Sequence, residues 1–452
     1  MSKNIRFLHS ADLHLGSPLK TVGAMSRQLQ QTLREAAFTA VERLVDRALD
    51  YDVNFVLISG DIYDRDSRSV KANEFLSQQL SRLNEKNIPV CIIYGNHDPL
   101  GAAPELYKMP PNVIVFPYEH AEMVTLPDER GIPLARVYGQ SYGNPSDTRK
   151  MYADFVFPDS DTFNIGMLHT SLSPAGRAYV PCSLADLRSV PHIHYWALGH
   201  IHRAGLCSGE TPVAAFPGIP QGRDPGEPGV GGCLLVEAGS DRIPTVGFIP
   251  LSEIVWLKLS IPISEEYPED LDSLEEIMLN QGQEVLSQGP ETFLPDIKKV
   301  PEAPYSARGY VVRWEITGRG RLHEAIAAQE REELQSSLEN RLRQSLGTGT
   351  PFLWTESVSF KTASPLPELS ALTENDTVFR TLVEERIKAE TEPGLRKEII
   401  KALGNVWYEQ KDPEDIREDS IPLTDAKLKE LLDRAQDLVF DRIIQEREHL
   451  DY

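Results

Sequence analysis

The chain has 452 residues, 40% of them hydrophobic and 25% charged, which is material for two or three folded domains. Its 68 acidic against 46 basic residues give a net charge of −22, which excludes a protein that coats nucleic acid through bulk positive charge. No apolar run is long enough to span a bilayer, and Met1 to Phe7 lacks the hydrophobic stretch of a secretory leader. Cys91, Cys182, Cys207 and Cys233 form no CxxC pair, so buried thiols in a reducing cytoplasm are expected.

In chain order, Ile5–His9 reads as a short strand that breaks at Ser10-Ala11-Asp12. Met25–Asp50 reads as a helix, because Leu29, Leu33, Ala37, Ala40, Val41, Leu44, Val45 and Ala48 recur mostly at three- and four-residue intervals. Val53–Ile58 is a buried strand, Lys71–Lys86 a second helix and Ile88–Tyr94 a third strand. That alternation implies parallel neighbours and an α/β layer. Further strands follow at Asn112–Phe116, Leu134–Gly139, Phe163–His169, His194–Leu198, Val213–Phe216 and Cys233–Glu237, which suggests two sheets flanked by helices and closing near Pro250.

Residues 1–250 are therefore read as the first domain. Residues 251–364 read as a small α+β module, with strands Ile254–Ile261, Tyr310–Thr317 and Phe352–Phe360, helices Leu271–Leu286 and Leu322–Leu346, and a Pro-rich loop from Gly289 to Pro304. Residues 365–452 read as a helical tail. Thr424 is placed as the cap of its last helix, with Leu428, Leu431, Leu432, Ala435, Leu438 and Val439 on one face. From Leu366 onward 22 acidic residues face 13 basic ones, a composition suited to protein binding more than to DNA.

Metal-capable side chains recur at the ends of the early strands. Asp12-Leu13-His14 follows the first, Gly60-Asp61 the second and Gly95-Asn96-His97-Asp98 the third; His169 closes a later strand, and Gly199-His200-Ile201-His202 follows the next. In an open α/β sheet, ligands gather beyond the carboxyl ends of the strands, so all five groups are expected to meet. Phosphodiester cleavage needs a nucleophile in line with the leaving oxygen and positive charge at the non-bridging oxygens. Two metal ions about 3.5–4 Å apart supply both. Asp61 is the best bridging carboxylate; Asp12, His14 and His202 would complete one metal, and Asn96, His169 and His200 the other. This sulfur-free donor set suits manganese, iron or zinc. His97 is needed by neither metal and is placed as the group that protonates the leaving oxygen or stabilises the equatorial ones. A lone D-x-H or H-x-H is usually a surface pair; the ordered set of five carries the argument.

That order, D-x-H, GD, GNHD, H and GHxH over residues 12 to 202, resembles the calcineurin-like metallophosphoesterase superfamily, without a missing ligand. The resemblance implies a two-sheet phosphoesterase sandwich, two divalent ions (manganese first among them) on Asp12, His14, Asp61, Asn96, His169, His200 and His202, and a catalytic role for His97. The segments His9–Gly16, Ser59–Asp64 and Phe216–Arg223 further resemble the exonuclease subunits of DNA double-strand-break repair of the SbcD and YhaO type. This implies DNA ends as substrate, a capping role for residues 251–364, an SMC-like coiled-coil ATPase gripped by the tail, and a homodimer. Asp64 departs from the archaeal and eukaryotic pattern, which has a histidine there; it is read as orienting His97 or steering the DNA end, with a plain surface carboxylate as the alternative. Gln221 and Arg223 are assigned to substrate phosphate, against a purely connecting Gly/Pro loop. Two rival readings stay open: a phosphoesterase for nucleotides or phosphomonoesters using the same site, and a scaffold subunit of an ATPase complex.

Overall fold

Two strands whose residues are nearly all apolar, Phe55-Val-Leu-Ile-Ser59 and Phe163-Asn-Ile-Gly-Met-Leu-His169, are buried along their whole length, as strands covered on both faces must be. In the computed structural model, which describes residues 4–17, 19, 27–64, 69–101, 108–159, 161–173, 178–365, 374, 376–403, 407–409 and 421–448, they lie in two six-stranded mixed sheets. The first has the order β12-β11-β1-β2-β3-β4, with β1 Ile5–Ser10, β2 Phe55–Ser59, β3 Val90–Ile93, β4 Val113–Val115, β11 Gly232–Ala238 and β12 Pro244–Pro250. The second has the order β5-β6-β7-β8-β10-β9, with β5 Glu122–Pro127, β6 Pro133–Gly139, β7 Phe163–His169, β8 Tyr195–Gly199, β9 Gly205–Ser208 and β10 Val213–Phe216.

Alternation along the first sheet sends Leu8, Val56, Ile58, Val90 and Ile92 toward the helices α1 (Arg27–Asp50) and α2 (Val70–Asn84). There they pack with Val41, Leu44, Val45, Leu76, Leu80 and Leu83. Burying each such side chain is worth roughly 1.5–3 kcal/mol. Ser69 caps α2 by accepting from Ala72 N. On the opposite face Phe7 stacks on Phe55 at 4.8 Å and meets Tyr195 and Phe163 of the second sheet. β1, β2 and β3 are parallel neighbours, as are β7 and β8. Their carboxyl ends therefore open on one rim.

Three strands of these two sheets, β5, β9 and β12, are not among those expected from the sequence, and all three are sheet edges. An edge strand is held by pairing on one side and needs no continuous apolar run, so its pattern is faint. The short helix α3 (Leu184–Arg188) also escaped, although a Ser183/Asp186 capping box marks it.

Residues 251–364 supply a three-stranded sheet, β13 (Ile254–Ile263), β14 (Gly309–Arg319) and β15 (Phe352–Ala363), and the helix α4 (Leu271–Gln288). The single helix expected over Leu322–Leu346 is two, α5 (Leu322–Ala327) and α6 (Arg331–Leu346), with neither Gly nor Pro at the break. The tail carries α7 (Thr377–Thr391), α8 (Pro393–Leu403) and α9 (Asp425–Glu448), plus a small strand pair, β16 (Trp407–Glu409) with β17 (Ile421–Leu423). Thr424 does cap α9, accepting from Lys427 N at 3.2 Å. The face assigned to α9 is corrected: Leu428 and Phe440 are buried, while Leu438 and Val439 are exposed. Phe440 meets Phe379 of α7 edge-on at 4.8 Å.

By Cα proximity the chain divides into two compact units, Met1–Ser260, Glu275–Glu315 and Gln335–Ser359 in one, Ile261–Leu274, Ile316–Leu334 and Phe360–Tyr452 in the other. No described helix is long and apolar enough to cross a membrane. None of the four cysteines is in a disulfide.

Candidate metal centre

Each candidate ligand sits where a central strand ends. Asp12 and His14 follow β1, Asp61 follows β2, Asn96 and His97 follow β3, His169 is the last residue of β7, and His200 and His202 follow β8. Asp12, His14, Asp61 and His200 all have positive φ, at 52°, 43°, 51° and 99°. Side-chain-bearing residues avoid this region, and its use four times at one rim marks a place where function outweighs local comfort. The glycines in the motifs do different jobs. Gly60 has φ +94° and also makes room, since a Cβ there would lie 2.4 Å from His169 Nδ1, whereas Gly95 only makes room: a Cβ there would lie 2.1 Å from Asp61 Oδ1.

The seven side chains converge. Asp61 Oδ2 is 3.8 Å from His14 Nε2 and 3.4 Å from His169 Nε2, so one oxygen faces both sets. On one side, His14 Nε2 and His202 Nε2 face each other at 3.2 Å, with Asp12 Oδ1 3.7 Å from His202 Nε2. On the other, Asn96 Oδ1 lies 3.0 Å from His169 Nε2 and 3.1 Å from His200 Nδ1. Asp12, His14 and His202 offer ligand atoms within 4.8 Å of one another, as do Asp12, Asp61 and His169. The donor set fits a pair of divalent cations. Two imidazole nitrogens aimed at each other can share only one proton, and His14 Nδ1, fully buried, has no hydrogen-bond partner among the described residues. Oxygen and imidazole donors without thiolate suit manganese, iron or zinc.

The electrostatics carry the same sign. Burial pushes Asp12 up to about 6 against the pull of His169 and His202. Burial also opposes ionisation of Asp61, but the neighbouring His169 outweighs it and the carboxyl is held well below its usual range. Reciprocally, His169 is raised to about 9: burial disfavours its charge, and Asp61 and Asp12 overcome that. A buried imidazole kept charged by two buried carboxylates is a pocket that calls for a cation. Burial lowers His14 well below the ordinary histidine value and brings His200 to about 4, keeping both neutral as ligation requires.

His97 lies beside this set, and its ring nitrogen, an Asp64 oxygen and a His14 nitrogen also fall within 4.8 Å of one another. Its side chain is 36% exposed, and its Nδ1 is 2.8 Å from Asp64 Oδ1. Ser17 Oγ donates to the other Asp64 oxygen at 3.1 Å. Against the competing cost of burial, the His97 bond lowers the Asp64 carboxyl. Asp64 therefore touches His97, not open solvent alone.

Arg223 reaches the same rim, with Nη1 3.9 Å from Asp64 Oδ2. Gln221 does not. It is buried, its amide donates to the Gly222 and Ile254 carbonyls, and its oxygen accepts from the Glu253 and Ile254 main chain. All its bonds hold the loop in place, and none is left for a phosphate.

Two residues given no role from sequence help to build the site. Asp98, the last letter of GNHD, accepts from Ile62 N, Tyr63 N and Gly95 N at 2.8–3.1 Å, clamping the Asp61 turn to the Asn96 turn. Burial and the nearby Asp61 raise it to about 7. Glu227 Oε1 stands 2.6 Å from His202 Nδ1. Burial resists its charge, yet His202 and Arg223 bring Glu227 down to about 2. Asp98 had a signal in its motif; Glu227 had none, being one carboxylate in a Gly/Pro loop.

Comparison with known proteins gives the same picture. Residues 5–204 match the family described as calcineurin-like phosphoesterase. The chain is 34% identical to the Bacillus subtilis protein described as uncharacterized metallophosphoesterase YhaO, over 59% of this chain and 65% of that one. It is 25% identical to the DNA double-strand break repair protein Mre11 of Sulfolobus acidocaldarius, over 69% of this chain and 82% of that one. The protein of that name from Methanococcus maripaludis is also 25% identical, over 45% of this chain and 53% of its own length. The match thus spans about two thirds of the first relative and about half of the last.

Proposed function

Because residues 5–204 are a calcineurin-like phosphoesterase domain, we propose that the chain is a manganese-dependent DNA nuclease, chiefly an exonuclease, that processes DNA ends with an SMC-like coiled-coil ATPase. The observation that carries this reading is the single Asp61 oxygen facing both donor sets. Two bound divalent ions would supply Lewis acidity at the scissile phosphate and an activated water. Asp12, His14 and His202 would hold one and Asn96, His169 and His200 the other, with Asp61 between them.

The chain's own groups then do the rest. Asp64 accepts from His97 Nδ1–H, and in the doubly protonated ring the remaining Nε2–H is the proton given to the departing oxygen, after which the neutral ring keeps its Nδ1–H bond to Asp64. Arg223 offers a guanidinium to a phosphate oxygen at the Asp64 side of the rim. Residues 251–364 act as a cap that positions DNA, and residues 365–452 dock the ATPase. Deletion from Pro365 onward is expected to abolish partner binding and to spare metal-dependent hydrolysis.

The test is cleavage of 5′- and 3′-labelled duplex DNA across several divalent metals, with p-nitrophenyl phosphate beside it. Efficient hydrolysis of the monoester and none of the duplex would replace the nuclease reading with that of a phosphomonoesterase.

A further inference from the structure

We infer that Glu227 is the positioning residue for the His14/His202 side of the site, and that Arg223 joins it to the His97–Asp64 side. The inference rests on the reading of His202 as a metal ligand, and it extends that reading to two loop residues.

An imidazole can turn a lone pair to a cation at one nitrogen only if the other nitrogen keeps the proton. For His169 the fold arranges this with main chain, since Nδ1 is 2.9 Å from the Ser59 carbonyl and Nε2 is left for Asp61 and Asn96. For His202 the matching group is the Glu227 carboxylate, 2.6 Å from Nδ1. Nδ1–H donates to Glu227, and Nε2 is thereby set toward His14 Nε2 and Asp12. A carboxylate behind a ligating histidine fixes its tautomer and raises its basicity.

Glu227 is itself held. Its side chain is 12% exposed. Its oxygens accept from Arg223 N at 2.7 Å and from Arg223 Nη2 at 2.9 Å. A carboxylate so enclosed needs these partners, because burying the charge unpaired would be costly. The guanidinium that pairs with it also stands 3.9 Å from Asp64, the residue bonded to His97. His202, Glu227, Arg223, Asp64 and His97 thus form one continuous polar circuit, from a candidate ligand to the group proposed to face the leaving oxygen.

The experiment titrates manganese alone into the full-length protein by calorimetry, and records the visible absorption of the cobalt-substituted form. Wild type, Glu227→Ala, Glu227→Asp and Glu227→Gln are compared. Wild type is expected to bind two ions. Glu227→Ala should weaken one of them by about 10- to 100-fold, leave the second in place, and change the cobalt bands. Glu227→Asp keeps the charge but falls short of Nδ1 and should weaken the same ion, which keeps the test valid should the alanine protein fail to fold. Glu227→Gln restores an acceptor and should recover most of the affinity. Unchanged manganese binding and cobalt spectrum in the alanine or aspartate protein overturn the inference, as does a glutamine protein as weak as alanine. Failure of the wild type to bind any manganese would instead remove the metal-site reading beneath it.

Discussion

Around Asn96, His169 and His200 the side chains are fastened by main chain. The Ser59 carbonyl holds His169, and the Asp98 carboxylate gathers three amide N–H groups of the two adjacent turns. Around His14 and His202 the fastening passes through side chains of a Gly/Pro loop, Glu227 and Arg223. Main-chain fastening comes with the fold and is lost only when the fold is. Side-chain fastening can be altered one residue at a time. The first half should therefore respond to mutation through stability, and the second through ligand affinity.

Asp61 belongs to both halves, and its loss should have the largest effect. Asp61→Ala is expected to lower metal-dependent hydrolysis by on the order of 10³-fold or more, with circular dichroism unchanged. Retained activity would remove the shared oxygen from the account. His97 comes next. His97→Ala should cost about 10²- to 10⁴-fold in turnover while manganese affinity stays at the wild-type value, because the proposed role gives the ring to the leaving oxygen and to neither ion. A fall in affinity equal to the fall in rate would make it a ligand instead.

Asp98 probes the main-chain half directly. Asp98→Ala strands three buried N–H groups and should destabilise the protein by about 3 kcal/mol, read as a lower urea midpoint in the metal-free protein. In the same assay Glu227→Ala should shift the midpoint far less. Equal shifts would erase the distinction between the halves.

The sequence made the centre of the sandwich and the order of the ligands legible for one reason. Buried parallel strands must be apolar throughout, and whatever polar residue follows them stands at the rim. What fastens the ligands was far less visible. Gln221 looked like a phosphate contact because nothing in a sequence tells whether an amide is already bonded; here the Glu253–Ile254 main chain absorbs it. Glu227 stayed hidden because its partner lies 25 residues away across a loop whose path only the fold fixes. The edge strands β5, β9 and β12 owe their structure to a neighbour, and a local pattern cannot carry that.

His9 gives the smallest expected effect and tests the main-chain half at its root. It is fully buried on β1, with Nδ1 2.9 Å from the Tyr195 hydroxyl and Nε2 3.1 Å from the Leu198 carbonyl, so it stitches the first sheet to the second beneath the ligands. Burial lowers it to about 3, against the upward pull of the Leu198 carbonyl. Between about pH 6.5 and pH 3 the unfolded chain would therefore bind a proton at this ring that the folded chain refuses. The resulting stability is fully present above pH 6.5 and is lost as the pH falls toward 3. Glutamine keeps a donor and an acceptor but does not titrate. The His9→Gln protein should thus show a shallower loss of stability on acidification, by at most about 1.4 kcal/mol per pH unit. Urea unfolding of both metal-free proteins at pH 7.0 and 5.0 reads the difference. Parallel losses would mean that the seam between the sheets tolerates a charged His9, and that the rigidity assigned to the main-chain half comes from elsewhere.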